Sequence, residues 1–239
     1  MPQGYLLTKS KYIRGLQCDR ALWLDVFNPK LARYTAEQMR RFDHGRDFEY
    51  AFKDTFADGI DISAQLKRNT SAYPALTAQL LDRDDTADLF EAGFQYDDVL
   101  VLADVVHRRP DGSLDIYEVK SGSTLSDTYR RDAALQHYVI SHCRPVHTFS
   151  IVHANAQSDS SDHSDYSDYS DNSDNRFAII DLTAELAAEA DTIERNISIM
   201  KDILRHGEPA TPTGQHCLEP YACPYQHYCA QGVRQLALF

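Results

Sequence analysis

The sequence predicts an α/β fold in which a mixed central sheet is flanked by helices. Two neighbouring segments, Val99–His107 and Leu114–Ser121, are rich in apolar and β-branched residues, and each has the length of a strand. Segments whose apolar residues recur at helical spacing precede and follow this pair. With 239 residues and 43% hydrophobic content the chain can bury one substantial core, so we expect a single domain over residues 1–239.

The two strands are predicted to form a β-hairpin. The segment between them is RRPDGS, in which Pro110, Asp111 and Gly112 have strong turn chemistry. We therefore expect the turn to centre near Asp111. Further strands are predicted near Thr148–His153 and at Phe177–Asp181.

Helices are predicted in five places from apolar spacing and capping residues. They are the N-terminal segment LLTKSKYIRGLQCDRALWLD, about Thr35–Phe56, Ser71–Ala92, Ser126–Ser141 and Thr183–His206. Thr8 or Ser10 could cap the first helix, and Ser126 is a suitable N-cap for the fourth. Helices before and after the hairpin complete the predicted α/β core.

Residues 154–176 differ in composition from the rest of the chain. They contain QSDSSDHSDYSDYSDNSDN, a Ser/Asp repeat with a period of three residues. The segment has almost no apolar content and a high charge, which predicts a disordered insertion in a loop between strands. Aspartates also bind hard cations such as calcium, but the glycine-containing pattern of calcium-binding repeats is absent.

The formal net charge of −12 argues at first sight against a nucleic-acid partner. Six of the aspartates lie in the Ser/Asp repeat, and the remainder of the chain is still acidic. An acidic enzyme can nevertheless bind DNA through a local basic lining. The candidates for such a lining, which could equally be scattered solvated charges, are Lys9, Lys11, Arg14, Lys67, Arg68, Arg130 and Arg131.

Two acids and a lysine are predicted to converge on the hairpin. Side chains alternate between the faces of a strand, so Glu118 and Lys120 point to the same side. With the turn near Asp111, Asp104 lies almost opposite Glu118 on the neighbouring strand. Oxygen ligands of this kind bind the divalent ions that assist phosphodiester hydrolysis, and a nearby cation stabilises the transition state. The backbone carbonyl of Val119 is a further candidate ligand, while the alternative is an ordinary half-exposed strand face.

The cysteines indicate a second site. Three of them are close in sequence: Cys217, Cys223 and Cys229. Cys18 can complete a four-thiol set only if the two ends of the fold meet. The wide spacing favours an iron–sulfur cluster of the 4Fe–4S type over zinc, which usually takes closely spaced pairs of cysteines, although His216 and His227 keep a zinc site open. Cys143 lies outside the pattern and is expected to be a core or helix-end residue.

The segments LADVVHRRPDGSLDIYEVKSGS and DAALQHYVI resemble the RecB-like branch of the PD-(D/E)XK nucleases. The resemblance implies a restriction-endonuclease-like core whose active site is formed by Asp104, Glu118, Lys120 and Gln136. It also implies an acid or a histidine on an earlier helix, and either Glu49 or His44 fits, with Glu49 preferred.

The sequence near Gln136 departs from the pattern of the nuclease branch. The branch often has the pattern Gln-x-x-x-Tyr, whereas here Tyr138 falls two residues after Gln136 and Ile140 occupies the fourth place. A role for that tyrosine is therefore in question. Glu91, just before the first hairpin strand, is a lesser candidate expected only to support the site.

One N-terminal and three C-terminal cysteines around such a core also resemble the CRISPR-associated RecB-like exonucleases and the AddB-type nuclease domains. The likeness runs from LLTKSKYIRGLQCDRALWL to GQHCLEPYACPYQHYC and is greatest to an uncharacterised family of predicted iron–sulfur nucleases. It implies an iron–sulfur subdomain over residues 1–34 and 207–239, in which the cluster joins the N- and C-terminal segments. The nuclease core would then comprise residues 35–153 and 177–206.

The resemblance implies a Mg2+- or Mn2+-dependent DNA nuclease, an exonuclease on single strands or ends, that binds metal through Asp104, Glu118, Glu49 and Val119. Expected partners are DNA and proteins of DNA repair or CRISPR adaptation. The alternatives are a non-catalytic DNA-end-binding or adaptor module and a zinc-stapled interaction domain. No segment approaches the ~18–20 apolar residues of a membrane span, and the N-terminus does not resemble a signal peptide, so a cytoplasmic protein without a membrane partner is expected.

Overall fold

The fold is seen in a computed structural model that describes residues 7–67, 69–83, 85, 88–155 and 176–236, with only the backbone described at 41–45 and 232–236. Most of the predicted Ser/Asp-rich insertion, residues 156–175, lies outside the described part of the chain, as does Arg68. The side chain of His44, the alternative to Glu49, is also outside it.

A mixed sheet forms the centre of the fold, as the sequence predicts, and it has seven strands within the described residues. Its strands are β1 (Leu7–Thr8), β2 (Ile60–Asp61), β3 (Asp88–Tyr96), β4 (Val99–Arg108), β5 (Leu114–Lys120), β6 (Val146–Ala154) and β7 (Phe177–Asp181). The order across the sheet is β2-β3-β4-β5-β6-β7, and β1 pairs in parallel with β4. The β2–β3 and β5–β6 pairs are parallel, whereas β3–β4, β4–β5 and β6–β7 are antiparallel.

Helices flank this sheet. They are α1 (Lys9–Gln17), α2 (Asp19–Phe27), α3 (Ala36–Lys53), α4 (Ile62–Leu66), α5 (Tyr73–Leu81), α6 (Asp127–Ser141), α7 (Thr183–Ala187), α8 (Ala190–Arg205) and α9 (Gln226–Leu236). The predicted caps at Thr8 and Ser126 are confirmed, because each side chain accepts a backbone hydrogen bond in the first turn of its helix. Thr35 closes a capping box with Gln38 at the start of α3.

The helix predicted for Ser71–Ala92 is wrong in its second half. The helix ends at Leu81, and Asp88 begins β3. A charged turn separates the two, in which Arg83 bonds both carboxylate oxygens of Asp85. The apolar residues beyond this turn are buried as part of the sheet rather than on a helical face.

The N-terminal segment is two helices rather than one. The break falls at Cys18, which has extended backbone angles (φ −166°, ψ 125°) and separates α1 from α2. The segment Thr183–His206 is similarly divided into the short α7 and the longer α8. None of the helices in the described residues is both long and apolar enough to cross a bilayer.

On one edge, strand β4 pairs with β1 at its start and with β5 at its end, and a gap lies between the two. Its last four residues pair with β5, up to Val105↔Tyr117, and its first two pair with β1 at Leu7↔Val99 and Thr8↔Leu100. Residues 101–104 therefore lie where β5 has left β4 and where α1 begins. Asp104 is in this gap.

Candidate active site

Three acidic residues stand side by side across the middle of the sheet. The β3–β4 register passes from Phe90↔Val105 to Ala92↔Ala103, so Glu91 and Asp104 share the position between these pairs. The β4–β5 register, continued one step beyond Val105↔Tyr117, places Glu118 on the other side of Asp104. This row of acids, Glu91–Asp104–Glu118, has Asp104 and Glu118 near each other just beyond the last pair of the hairpin, and it extends to β3.

An irregular backbone conformation and a backbone hydrogen bond orient the side chains of Glu91 and Asp104. Glu91 adopts a left-handed conformation (φ 54°), which interrupts the β3–β4 ladder at this position. The backbone N–H of Val119 donates to Asp104 Oδ2 at 2.7 Å. Where β4 and β5 separate, the Asp104 carboxylate thus accepts the hydrogen bond that a backbone carbonyl accepts elsewhere in the ladder. This bond fixes Oδ2 of Asp104. Val119 contributes its N–H here; the carbonyl was the predicted ligand.

Helix α3 adds a fourth acid. Phe52 anchors the helix to the sheet through ring contacts with Tyr117 and Phe177, at centroid distances of 5.8 and 5.2 Å. Glu49 lies one turn earlier, and one carboxylate oxygen each of Glu49, Glu91 and Asp104 lie within 4.8 Å of one another. Hard divalent cations place their oxygen ligands about 2.0–2.6 Å away, so ligands at these mutual distances can share one ion.

Two lysines hold Glu118. Lys120 Nζ donates to Glu118 Oε1 and to Asp132 Oδ2, both at 2.6 Å. Lys9 Nζ donates to the two oxygens of Glu118 at 3.0 and 3.2 Å. Burial would raise the pKa of Glu118, but the ammonium groups of Lys120 and Lys9 lower it and prevail. Glu118, which is 1% exposed, is therefore held as a carboxylate.

A third lysine, Lys53, bonds the acids at the Glu91 end of the row. Lys53 Nζ donates to Glu91 at 2.7 Å and makes a short contact with Glu49. Burial alone would lower the pKa of Lys53, but the two glutamates raise it, so it remains an ammonium. The Lys53 side chain is 7% exposed. Its positive charge offsets part of the negative charge of Glu49 and Glu91, for which the sequence analysis gave no cationic partner.

The site carries more negative than positive charge. Its five carboxylates, those of Glu49, Glu91, Asp104, Glu118 and Asp132, face the three ammonium groups of Lys9, Lys53 and Lys120. Burial, followed by the charge of Glu118, raises the pKa of Asp104 well above its ordinary value. Within the described residues no lysine or arginine donates a hydrogen bond to Asp104, and the five carboxyl groups outnumber the three ammonium groups, so the site could accept a further cation.

Gln136 is brought to the site by α6, as the resemblance implies. Its side chain is fully buried (0% exposed) beside Glu118, and it helps to lower the pKa of that carboxyl. Within the described residues neither its amide oxygen nor its amide nitrogen makes a hydrogen bond of standard geometry, so its polar contact with Glu118 is a loose one. A buried amide without partners is costly, so this position is suited to a further polar group.

The aromatic residue after Gln136 faces elsewhere. Tyr138 packs against Tyr96 and His142, with ring centroids 5.9 and 4.5 Å away, and burial raises its pKa to about 12. Ile140 is a core residue. The structure thus brings together Asp104, Glu118, Lys120, Gln136 and Glu49, with Tyr138 packed outside this group.

Sequence reasoning missed three members of the site. Lys53 and Asp132 were not considered, and Lys9 was considered only as part of a basic lining. Lys9 contacts Glu118 across 109 residues, Lys53 contacts Glu91 across 38, and Asp132 contacts Lys120 across 12, so no short motif connects these pairs. The contact of Lys53 with Glu49, four residues earlier on α3, is the one local signal. Among the other basic candidates, Arg14 and Arg130 are engaged in ion pairs with Asp25 and Glu185.

The two ends of the chain meet around the cysteines. Gln17 Nε2 donates to the backbone carbonyls of His216, Glu219 and Tyr221, at 2.8, 3.1 and 2.8 Å. Further links join Trp23 to His206 and Arg20 to Glu208 in the same region. The condition for a four-thiol set, that the ends of the fold come together, is therefore met.

Cys18 and the three C-terminal cysteines lie in this junction. Cys217, Cys223 and Cys229 are buried, and Cys18 packs against Cys217 and Cys223 within a small apolar cluster. Burial raises the pKa of Cys18, Cys223 and Cys229, and the charges of neighbouring thiols raise it further. Cys143 is exposed at the end of α6, so its expected helix-end position is confirmed.

The spacing of the thiols bears on which metal group they fit. Four thiolates around one zinc ion, each at about 2.3 Å, lie only about 3.8 Å apart. Among the described residues, the only group of three potential metal ligands within 4.8 Å of one another is the acidic one, Glu49, Glu91 and Asp104. Within the described residues the cysteines and His216 and His227 therefore do not form a preassembled group of three ligands at zinc-site spacing.

No family model and no curated protein matches this chain. Among solved structures, it is similar to one described as the crystal structure of SSO0001, with 13% sequence identity and a TM-score of 0.42. The match covers 94% of this chain and 85% of that chain. A likeness this distant carries no argument, so the functional conclusions rest on the site itself.

Proposed function

We propose that this protein is a metal-dependent DNA nuclease with a RecB-like PD-(D/E)XK core. The observation that carries the proposal is the row Glu91–Asp104–Glu118, with Glu49 at one end and Lys120 beside the other. Like charges on neighbouring strands are destabilising, and Lys9, Lys53 and Lys120 bond Glu118 and Glu91 but not Asp104, so a further cation beside Asp104 would stabilise the row. The proposal also accounts for the resemblance of the hairpin and the α6 segment to that nuclease branch.

The residues present fit a Mg2+ or Mn2+ ion. Glu49, Glu91 and Asp104 would hold it, because their oxygens lie within 4.8 Å of one another and no lysine or arginine among the described residues donates a hydrogen bond to Asp104. Glu118 is adjacent to Asp104 and completes the acidic set from β5. When bound, such an ion neutralises charge that develops on a phosphate and makes water a better nucleophile.

The side chains around the ion have distinct tasks. Burial alone would lower the pKa of Lys120, but Asp132, Glu118 and Asp104 raise it well above its ordinary value. Lys120 therefore remains an ammonium and acts as a fixed cation for the transition state rather than as a base. Gln136, with both amide atoms unpaired, would orient the substrate or Glu118.

We assign a 4Fe–4S cluster to Cys18, Cys217, Cys223 and Cys229 as part of the same proposal. The thiols lie where the chain ends meet, and their wide spacing in sequence lacks the closely spaced cysteine pairs usual for zinc. Burial raises the pKa of Cys223 and Cys229, and the nearby guanidinium groups of Arg14 and Arg20 offset part of that rise. A bound cluster would link the terminal segments and so stabilise the fold.

The substrate we propose is DNA with single strands or free ends, acted on within DNA repair or CRISPR adaptation. The test uses protein purified without oxygen and two labelled substrates, a linear single-stranded oligonucleotide and a circular single strand. With Mn2+ the linear strand should be degraded and the circle should persist, and EDTA should stop the reaction. Binding of the linear strand without any cleavage in Mg2+ or Mn2+ would instead favour the non-catalytic end-binding module.

A further inference from the structure

Lys9 belongs to the acidic site although it lies far from the hairpin in sequence. Its Nζ donates to both carboxylate oxygens of Glu118, at 3.0 and 3.2 Å. The Lys9 side chain remains 24% exposed, whereas that of Glu118 is 1% exposed. Lys9 also lines a cleft of about 300 Å³ in which Glu91 and Asp104 are exposed to the same space. The lysine is thus accessible from the side on which a metal would be held.

Lys9 and Lys120 use their donors differently. Lys120 divides its hydrogen bonds between Glu118 and Asp132, and its ammonium lies 5.5 Å from the Tyr129 ring centroid. Among the described residues, Lys9 donates to Glu118 alone. An ammonium group has three N–H donors, so Lys9 can accept a new partner while it keeps an existing bond.

The N-terminus of α1 adds to the positive side of the cleft. Lys9 is the first residue of this nine-residue helix, and Thr8 caps it. The first N–H groups of a helix have no partner within the helix and carry a partial positive charge, which favours anions. Thr8, Lys9 and Ser10 line the same cleft as Glu91 and Asp104, so cationic and acidic groups border one space.

We infer that Lys9, with the N-terminus of α1, binds a backbone phosphate of the DNA substrate in this cleft, which the metal-binding acids also line. The inference rests on the proposed nuclease function and adds a substrate-binding residue from outside the hairpin and α6. A phosphodiester entering the cleft would be bound by the metal on one side and by the Lys9 ammonium on the other. Lys9 then contributes to substrate affinity more than to holding the metal.

The test compares Lys9→Ala and Lys9→Arg with the parent. A matched control is Lys201→Ala, since Lys201 is also a partly buried lysine that bonds carboxylates, those of Asp97 and Asp98, away from the cleft. Binding of a linear oligonucleotide is measured by fluorescence anisotropy in Ca2+, a hard cation that takes similar oxygen ligands. Loss of one charge-assisted hydrogen bond should weaken binding about 10- to 100-fold in Lys9→Ala, with partial recovery in Lys9→Arg.

Two further measurements keep the outcomes distinct. Mn2+ affinity, measured by calorimetry without DNA, should stay within about threefold of the parent in Lys9→Arg. If Lys9→Ala does not fold, Lys9→Ala combined with Glu118→Gln is compared with Glu118→Gln alone, so that the difference in DNA affinity reports Lys9. Unchanged DNA affinity in the Lys9 variants, with only a lower melting temperature, would show a structural ion pair and overturn the inference. A parent that binds but does not cleave refutes the nuclease alone, and a parent that does neither refutes both.

Discussion

The backbone N–H of Val119 donates to Asp104 Oδ2 at 2.7 Å, so the carboxylate of Asp104 is clamped at the point where β4 and β5 separate. One oxygen is held by the hairpin itself, and one carboxylate oxygen of Asp104 lies within 4.8 Å of oxygens of Glu49 and Glu91. The geometry of the acidic site is thus set by the backbone of the hairpin. This arrangement allows the charge of Asp104 to be changed without removing its structural hydrogen bond.

Asp104→Asn should abolish tight metal binding without unfolding the protein. The amide oxygen of asparagine can still accept from Val119, but the charge that attracts the cation is gone. Mn2+ affinity should fall by at least about 100-fold, since even partners outside the ligand shell alter affinity by about 10- to 100-fold. Calorimetric titration of metal-free protein gives the measurement. Asp82→Asn is the control, because Asp82 is an exposed partner of Arg144; equal losses in both variants would contradict a specific site.

Lys53→Met should separate the effects of the lysine on the fold and on the metal. Without Lys53 the acids Glu49 and Glu91 lose their cation, and the free energy of unfolding in EDTA should fall by about 2 kcal/mol. That estimate lies below the usual cost of breaking a buried pair because both glutamates are about a quarter exposed. Mn2+ should then raise the melting temperature more in the variant than in the parent, since the ion replaces the missing charge. Thermal unfolding with and without Mn2+ decides this, and no extra stabilisation by Mn2+ would argue against a cation between these acids.

Cys18→Ser should remove iron and acid-labile sulfide from protein purified without oxygen. Cys18 separates α1 from α2 and packs with the C-terminal thiols, so its loss takes away one of four proposed ligands. Parent protein should be brown, and the variant should be colourless and less soluble. Cys143→Ser, which alters the exposed cysteine, should keep the colour. Stoichiometric zinc and no iron in the parent would refute the cluster assignment.

Gln17→Ala should destabilise the junction of the chain ends. Its side-chain amide nitrogen donates to three backbone carbonyls of the C-terminal segment, and Gln17 itself is buried. Carbonyls left without partners should lower the free energy of unfolding by about 2 kcal/mol. Gln215→Ala is a suitable control, since Gln215 is exposed and its side chain bonds only the side chain of Glu219 among the described residues. Equal denaturation midpoints for the two variants would show that the Gln17 contacts are not important for stability.

The hairpin part of the site could be predicted from sequence because its geometry is local. A turn at Pro110–Gly112 fixes the register, and the period of two along each strand then brings Asp104 opposite Glu118. Glu91 was undervalued because the apolar spacing of residues 71–92 fits a helix, and the turn at Arg83 and Asp85 was not recognised as its end. Once Glu91 is placed on β3, its position beside Asp104 follows from the register.

The rest of the site depends on tertiary packing that no local pattern encodes. Lys9 reaches Glu118 because α1 begins beside the gap in β4, and Lys53 reaches Glu91 because Phe52 anchors α3 on the sheet. From the sequence, Cys18 could be grouped with the C-terminal cysteines only on the condition that the two ends of the fold meet. The contacts that bring those ends together come from Gln17 and its neighbours, which no sequence motif marks. The two-residue strands β1 and β2 are too short to have a periodic signal.

The central claim is that the acidic row catalyses metal-dependent cleavage of DNA. Its most direct test is single-turnover cleavage of a labelled linear single strand in Mn2+ by the parent, Asp104→Asn and Glu118→Gln, purified in parallel and with cluster content matched. The account predicts cleavage by the parent that EDTA abolishes, and rates lower by at least about 100-fold in both variants. Cleavage by Glu118→Gln at the rate of the parent, or no cleavage by an iron-replete parent in Mg2+ or Mn2+, would contradict it.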